Sequence, residues 1–407
     1  MRVARLFCGI MLSLVLCLPA TARAAFTETL PRGTFLLDLA YNHSYLSNNW
    51  DDRGNLAPLI ESIDRYEPGG GKQGRLIPNA DVEYSVLLIQ LQYGILDSLS
   101  LAVGVPVVLN TTVNPSFAWE PGDYQPILGR PYSGTDFWEW AGSMGQPQPS
   151  RWDGNRGVLS DIVLGFRFRF TDWIEAFERV DLAMAVSVMG AIPIGRQGDP
   201  DEPVAVGTTL WDLQTQGDLA FHLSIDKMFT RELDGRLVLG LDVYYEVFFP
   251  RTQRTPTGRT HPLLMDQAPY VGRTHTLNPG DYFGFAVAAD VVAVRGPTRA
   301  TWLTGGSLQR AMTLPPLLTI SLGYRFNANN QSRFSSRSDL WDHDQERQWQ
   351  AGYRNTLSAT ALFSFLRLGA PLQLYVGYRT MELIPGKNVR AGQVIVAGLR
   401  APFAFSL

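Results

Sequence analysis

Residues 87–109 read LLIQLQYGILDSLSLAVGVPVVL, and their reading decides the fold. Up to Tyr93 the apolar side chains fall on every second residue: Leu87, Ile89, Leu91 and Tyr93, with Gln90 and Gln92 between. After the short connection Leu96-Asp97-Ser98 the alternation resumes as Leu99, Leu101, Val103, Val105 and Val107, separated by Ser100, Ala102, Gly104 and Pro106. A period of two is that of a strand with unlike faces, and a tight Asp-containing turn between two such runs predicts a hairpin. Each run has about 11 residues, the number a tilted strand needs to cross a bilayer.

The rest of the 407-residue chain repeats the unit. Alternating runs recur at 33–46, 158–170, 180–191, 216–230, 236–249, 281–294, 317–326, 352–366, 371–382 and 392–405. With the opening hairpin they make about 12 strands, an even count suited to a single-chain bacterial barrel. The less regular stretch 295–316 leaves room for another hairpin, so ten to fourteen strands stay open. The fold class predicted is all-β: a closed antiparallel transmembrane barrel. Outward loops are predicted at 47–81, 110–157, 192–214, 250–280 and 327–350, with a helical turn at 60–66. The other connections are mostly short. A compact soluble domain has little use for structureless loops this long, whereas outer-membrane barrels carry long extracellular loops and short periplasmic turns.

The N-terminus predicts the compartment. Arg2 and Arg5 precede the apolar stretch Leu6–Ala20, and Ala22-Arg23-Ala24 supplies small residues for cleavage. Residues 1–24 therefore read as a secretory signal peptide and 25–407 as the barrel domain. Both cysteines, Cys8 and Cys17, fall inside the signal, so the mature chain has no disulfide framework and no thiolate chemistry. Removing Arg2, Arg5 and Arg23 takes the 35 basic residues to 32 against 38 acidic ones. A net negative chain argues against a nucleic-acid partner.

Four segments carry a resemblance to a known family: YGILDSLSLAVGVPVV at 93–108, GVLSDIVLGFRFRF at 157–170, AIPIG at 191–195 and GQVIVAGLRAPF at 392–403. Together they resemble the outer-membrane barrel family of the meta-pathway of phenol degradation (MetA-pathway), whose members are regarded as transporters. The resemblance implies a bacterial outer-membrane location and movement of small hydrophobic or aromatic compounds. It supplies no catalytic residues, metal or cofactor. The chain departs from the usual barrel ending, since its last residue is Leu407 with Phe405 two places earlier.

Two sets of candidate site residues follow. On the inner-facing parity lie acidic Asp38, Asp181, Asp226, Asp242, Glu246 and Asp290, and basic Arg167, Arg169, Arg325, Arg354, Arg379 and Arg400. Mixed charges of this kind either pair into a network that stiffens or plugs the lumen, or line a solute path. In the loop at 110–157, Trp119, Tyr124, Trp138, Trp140 and Trp152 are aromatic side chains suited to stacking on an apolar ligand, to a membrane girdle, or to packing the loop itself.

An enzyme is disfavoured. His43 adjoins Ser44, so on a strand the two point to opposite faces. His222 and Ser224 share the inner face, where polarity is already explained. His261, His275 and His343 are scattered in loops without metal-ligand spacing, and no G-x-S-x-G elbow occurs. The function expected is passive passage of a small apolar or aromatic solute. The alternatives are a non-transporting structural or surface-binding barrel and, further off, a membrane-embedded lipid hydrolase. The partners expected are outer-membrane lipid, lipopolysaccharide and the barrel-assembly machinery.

Overall fold

The computed structural model describes residues 26–59, 62–67, 69–123, 129–143, 148, 150–195, 217–254, 274–278, 280–296, 315–334 and 351–404. Twelve long strands form its wall: β1 (Thr34–Trp50), β2 (Lys72–Leu96), β3 (Leu99–Pro121), β4 (Ile162–Arg169), β5 (Leu182–Ile192), β6 (Asp218–Met228), β7 (Leu237–Phe248), β8 (Tyr282–Val294), β9 (Leu318–Asn329), β10 (Gly352–Ser364), β11 (Gln373–Thr380) and β12 (Val389–Ala404). Each pairs antiparallel with its sequence neighbours. β1 closes the ring by pairing β2 on one edge (Phe35↔Tyr93 to Leu46↔Val82) and β12 on the other (Thr34↔Ala404 to Trp50↔Val389). Closure satisfies every ladder without an open edge, the condition a sheet must meet in lipid. β8 pairs β9 directly, so no strand stands between them and the wall count is twelve.

Alternation decides which face meets lipid. In β2, Leu91 is 37% exposed while neighbouring Gln90 is 6% exposed. The same parity exposes Leu164 and Phe166, Phe221 and Leu223, Phe283, Val287 and Val291, and Val376 and Tyr378. An apolar belt running right round a molecule is untenable in water and required in a bilayer. Aromatic pairs border it. Phe35 packs on Tyr93 and Phe403 at 4.5 and 5.4 Å beside the 96–99 turn, and Phe168 on Trp173 at 5.1 Å. At the opposite end Phe326 stacks between Phe285 and Tyr353 at 5.5 and 6.0 Å. Along β1, Phe35 and Tyr45 are separated by roughly 25 Å of barrel height, if the strand rises about 3.3 Å per residue at a tilt of about 40°. That is the height of an outer-membrane apolar band.

Several boundaries differ from the sequence reading. β2 and β3 are twice as long as the membrane requires, so residues 72–81 and 110–121 are strand, not loop. A bulge causes the misreading. Ser85 pairs Asn110 while Val86 pairs Val108, which leaves Leu109 extra and breaks the alternation there. Beyond it the two strands continue as a projecting hairpin as far as Gly74↔Pro121. Residues 63–66, predicted as a helical turn, are a short strand along β2. A ten-residue helix, α1 (Gly134–Ser143), lies in the 110–157 segment. In 250–280 and 327–350, Arg251–Arg254, Thr274–Asn278 and Arg333–Phe334 form a separate three-stranded sheet. Residues 196–214 and 297–314 lie outside the described residues.

Candidate functional site: the lumen and the aromatic loop

Inward parity brings the polar residues together in local sets rather than one network. Asp38 and Arg400 are register partners on β1 and β12. Arg400 Nε donates to Asp38 Oδ2 at 2.7 Å and Tyr375 Oη donates to Asp38 Oδ1 at 2.8 Å. The Arg400 guanidinium also lies 4.9 Å from the Tyr375 ring centroid. Tyr375 fits because its register partner is Gly398, where a Cβ would stand 2.4 Å from the ring. The arrangement repeats across the barrel, where the Tyr244 ring occupies the space a Cβ of Gly284 would take.

The Tyr244 set is the second. The His222 ring stacks on it at 5.2 Å, and its hydroxyl donates to Asn327 Oδ1. Arg325 sits 5.9 Å from the ring centroid. His222 Nδ1 bonds Asp242 Oδ2 at 2.9 Å and Ser224 Oγ donates to Asp242 Oδ1 at 2.7 Å. Ser224 and His222 thus take the two oxygens of one carboxylate, which is not the order of a nucleophile activated by a base. A third set is the buried pair Asp218 and Glu246, two register positions apart on β6 and β7. Among the described residues, no group of three or more His, Cys, Asp or Glu side chains is placed to hold a metal ion.

The remaining charged candidates have separate positions. Arg167 Nε donates to Ser187 Oγ at 3.0 Å, and Asp290 is buried opposite Ser321. Arg354 and Arg379 are half-buried on β10 and β11. Two stand at the ends of their strands. Arg169 pairs with Asp172 at 2.6 Å in the following turn. Asp181, placed on the inner face by alternation, adopts φ 51° just before β5 and turns the chain. Aspartate tolerates that left-handed conformation better than most residues, so it marks a turn here and not a wall position.

The inner face also has an apolar sector. Ala40, Leu88, Leu362, Val394 and Val396 pack with the Tyr375 ring inside the wall formed by β1, β2, β10, β11 and β12. Val86 and Val108 continue it toward the projecting hairpin. Most inward side chains of the described residues are buried. The segment before β1 is responsible for part of this. Phe26 and Thr27 donate their backbone N–H groups to Asp226 at 3.0 and 2.7 Å, and the Thr27 hydroxyl donates to the same carboxylate at 2.6 Å. The sequence showed the length of this segment but nothing of its destination.

The aromatic loop assembles a second feature. α1 begins with a capping box. Ser133 Oγ accepts from the Asp136 backbone N–H at 3.3 Å, and the Asp136 carboxylate takes the Ser133 N–H at 2.8 Å. Hydrogen bonds from Arg130 and Ser133 hold the Asp136 carboxyl well below the usual carboxylate range. Trp119 Nε1 donates to Tyr132 O at 2.9 Å, while Gly74 leaves room for the Trp119 indole. Phe137 packs on Trp119, Trp138 and Trp140 with centroids 5.0–5.8 Å apart, and Arg65 covers the Trp140 ring at 3.4 Å. A cavity of about 430 Å³ opens beside the cluster, lined by Leu76, Phe117, Trp119, Trp138, Thr135 and Glu139 among others. Of the predicted loop residues, Trp119, Trp138 and Trp140 are brought together. Trp152 is held elsewhere, in a short strand against Thr111–Val113. Tyr124 lies outside the described residues.

Closed wall, lipid-facing belt and aromatic borders define an outer-membrane β-barrel. Among solved structures the chain is similar to an outer membrane channel from Pseudomonas putida F1, with 11% identity, 94% of this chain and 99% of that chain covered, and a TM-score of 0.53. The likeness covers most of both chains and shows the fold. Weaker likenesses, which carry no argument, are to the CymD monoaromatic hydrocarbon channel (10% identity, 93% and 90% covered, TM-score 0.32) and a Pseudomonas aeruginosa FadL homologue (12% identity, 92% and 90% covered, TM-score 0.31). No family model and no curated protein matches the chain, so the resemblance to the phenol-degradation family rests on the four quoted segments.

Proposed function

We propose that this chain is a passive outer-membrane channel for small hydrophobic or aromatic compounds, exported by its 1–24 signal and inserted with the α1 loop facing outward. The observation that carries the reading is the aromatic-walled cavity on the projecting hairpin. Its volume of about 430 Å³ and its mix of Phe117, Trp119 and Trp138 with Thr135 and Glu139 suit a small planar ligand with one polar group. The apolar inner sector, next to the Asp38–Arg400 and Asp242 sets, supplies a lumen with both apolar and polar contacts for an amphipathic solute. The long loops then meet lipopolysaccharide, and the barrel-assembly machinery is the natural folding partner.

Single-channel conductance of the refolded protein in planar bilayers, with uptake of phenol or toluene into vesicles containing it, tests the proposal. Solute-dependent uptake above empty vesicles is the expected result. The absence of both conductance and uptake would sink it. The burial of most inward side chains favours a second reading, a structural or surface-binding barrel. On that reading the cavity still binds aromatic ligands while the vesicles stay tight.

A further inference from the structure

The segment from Phe26 to Arg32 is bound to the wall at points far apart around the ring. Near its β1 end, Arg32 N donates to Asp97 Oδ1 at 2.9 Å and Thr29 Oγ1 to Asp97 O at 2.6 Å. Further in, Leu30 N donates to the inward Ser100 Oγ at 2.7 Å. Its far end reaches β6, where Asp226 accepts the three bonds from Phe26 and Thr27. β6 lies five strands from β1 along the shorter way round. All of these anchors are at one end of the barrel, that of the 96–99 and 228–237 connections.

Length explains why the crossing is taut. A barrel of 12 strands spaced about 4.8 Å apart and tilted about 40° is roughly 24 Å across between backbones. The seven residues 26–32 extend to at most about 25 Å. The wall is shaped for the crossing: a Cβ on Gly94 would stand 2.2 Å from the Pro31 carbonyl oxygen, and Gly33 turns the chain into β1 at φ 76°. The contact is buried, with Thr27 and Asp226 each 3% exposed.

We infer that residues 26–32 are a strap across the short-turn mouth of the barrel, latched by Asp226, whose release opens the solute path. The inference rests on the channel reading and adds the element that controls flux. The latch is one carboxylate holding one end of a short segment. Its hydrogen bonds with the wall include those to Asp226, Ser100 and Asp97 and one from Arg167 Nη1 to Glu28 O at 3.5 Å, none of them part of a wall ladder, so it can detach without breaking one. Wall strands cannot move this way, since each is paired on both edges.

The absence of cysteine from 25–407 provides the test. In the full-length protein, Thr27→Cys with Asp226→Cys allows the strap to be locked by oxidation and freed by dithiothreitol. Conductance in planar bilayers is recorded in both states, beside Thr27→Val and a deletion of 26–31. Folding of each form is checked by heat-modifiable gel mobility. Thr27→Val leaves the wall untouched, so it answers if the double variant fails to fold. The expected result is silence when oxidised and conductance when reduced. Thr27→Val should raise the open-to-closed ratio by about ten-fold, the effect of losing one charge-assisted hydrogen bond. Equal conductance in oxidised, reduced and strap-deleted forms overturns the strap and leaves the channel standing. No conductance in any form, deletion included, overturns both.

Discussion

Asp38 and Arg400 show what a buried charge does in this wall. Both side chains are almost wholly buried, and each satisfies the other while Tyr375 takes the second carboxylate oxygen. Removing one partner leaves the other uncompensated. Asp38→Ala should therefore cost about 3–5 kcal/mol in urea titrations of the vesicle-embedded barrel. Exchanging both for apolar residues of like volume, Asp38→Leu with Arg400→Met, should recover most of it. An unaltered midpoint for the single variant would mean that the pair is bridged or hydrated. The outward face obeys the opposite rule. Leu91→Arg, two residues from the Tyr93 border, should destabilise by about 2 kcal/mol, and Ile89→Arg, deeper in the belt, by up to about 4 kcal/mol. Equal effects at the two sites would contradict the assigned depth.

Among the elements, the projecting β2–β3 hairpin and α1 depend on packing of few residues. Gly398 belongs here because its missing Cβ is the space that the Tyr375 ring fills on the neighbouring strand. Gly398→Ala should cost about 1–3 kcal/mol through overpacking. Tyr375→Leu introduced beside it should relieve that clash, although it gives up the hydrogen bond to Asp38. The short strand Ile63–Tyr66 is tied to β2 by Asp64, whose carboxylate is bonded by Arg75 and then Lys72 and has a pKa lowered from 3.8 to about 2. A pKa depressed on folding stabilises the folded form above the unfolded value, and that contribution is lost as pH falls through the folded one. Attachment of this strand should weaken between about pH 4 and pH 2. About a third of each of these side chains is exposed, so solvent and salt reduce the effect. Limited proteolysis across that range should show increased cutting near 60–68. Asp64→Asn should give that pattern already at pH 7, and an identical digestion of both proteins at pH 7 would refute the tie.

For the whole molecule, closure is the controlling fact. Each strand borrows hydrogen bonds from two neighbours, and β1 is held by β2 and β12. Half-buried strands of this kind were legible in the chain because lipid and lumen demand opposite chemistry on alternate residues. The number twelve was legible for the same reason. The loops were less so. Beyond the Leu109 bulge the hairpin leaves the bilayer, the demand for alternation ends, and continuing strand reads as loop. The candidate site divides similarly. Parity placed Asp38, Asp242, Glu246 and Arg400 on the inner face, but parity says nothing about partners. Asp181 failed because a left-handed turn residue stands where alternation would continue. Binding of an aromatic probe such as indole or naphthol at the loop should quench tryptophan fluorescence in the parent and less in Trp138→Ala. Equal quenching would place the ligand elsewhere.

Sequence by itself determined the class of fold, the lipid-facing face of each strand and the absence of cysteine from residues 25–407, since these depend on local pattern and composition. Only tertiary structure decided which inner residues meet. Asp38 finds Arg400 across more than 360 positions and Asp226 finds Thr27 across 199. Ring closure and the path of residues 26–32 across the lumen set those meetings, and neither leaves a periodic mark in the chain. The opening hairpin contributes to both levels. Its alternation declares a membrane wall, while Asp97 and Ser100, ordinary turn and lumen residues in one dimension, become anchors of the strap in three.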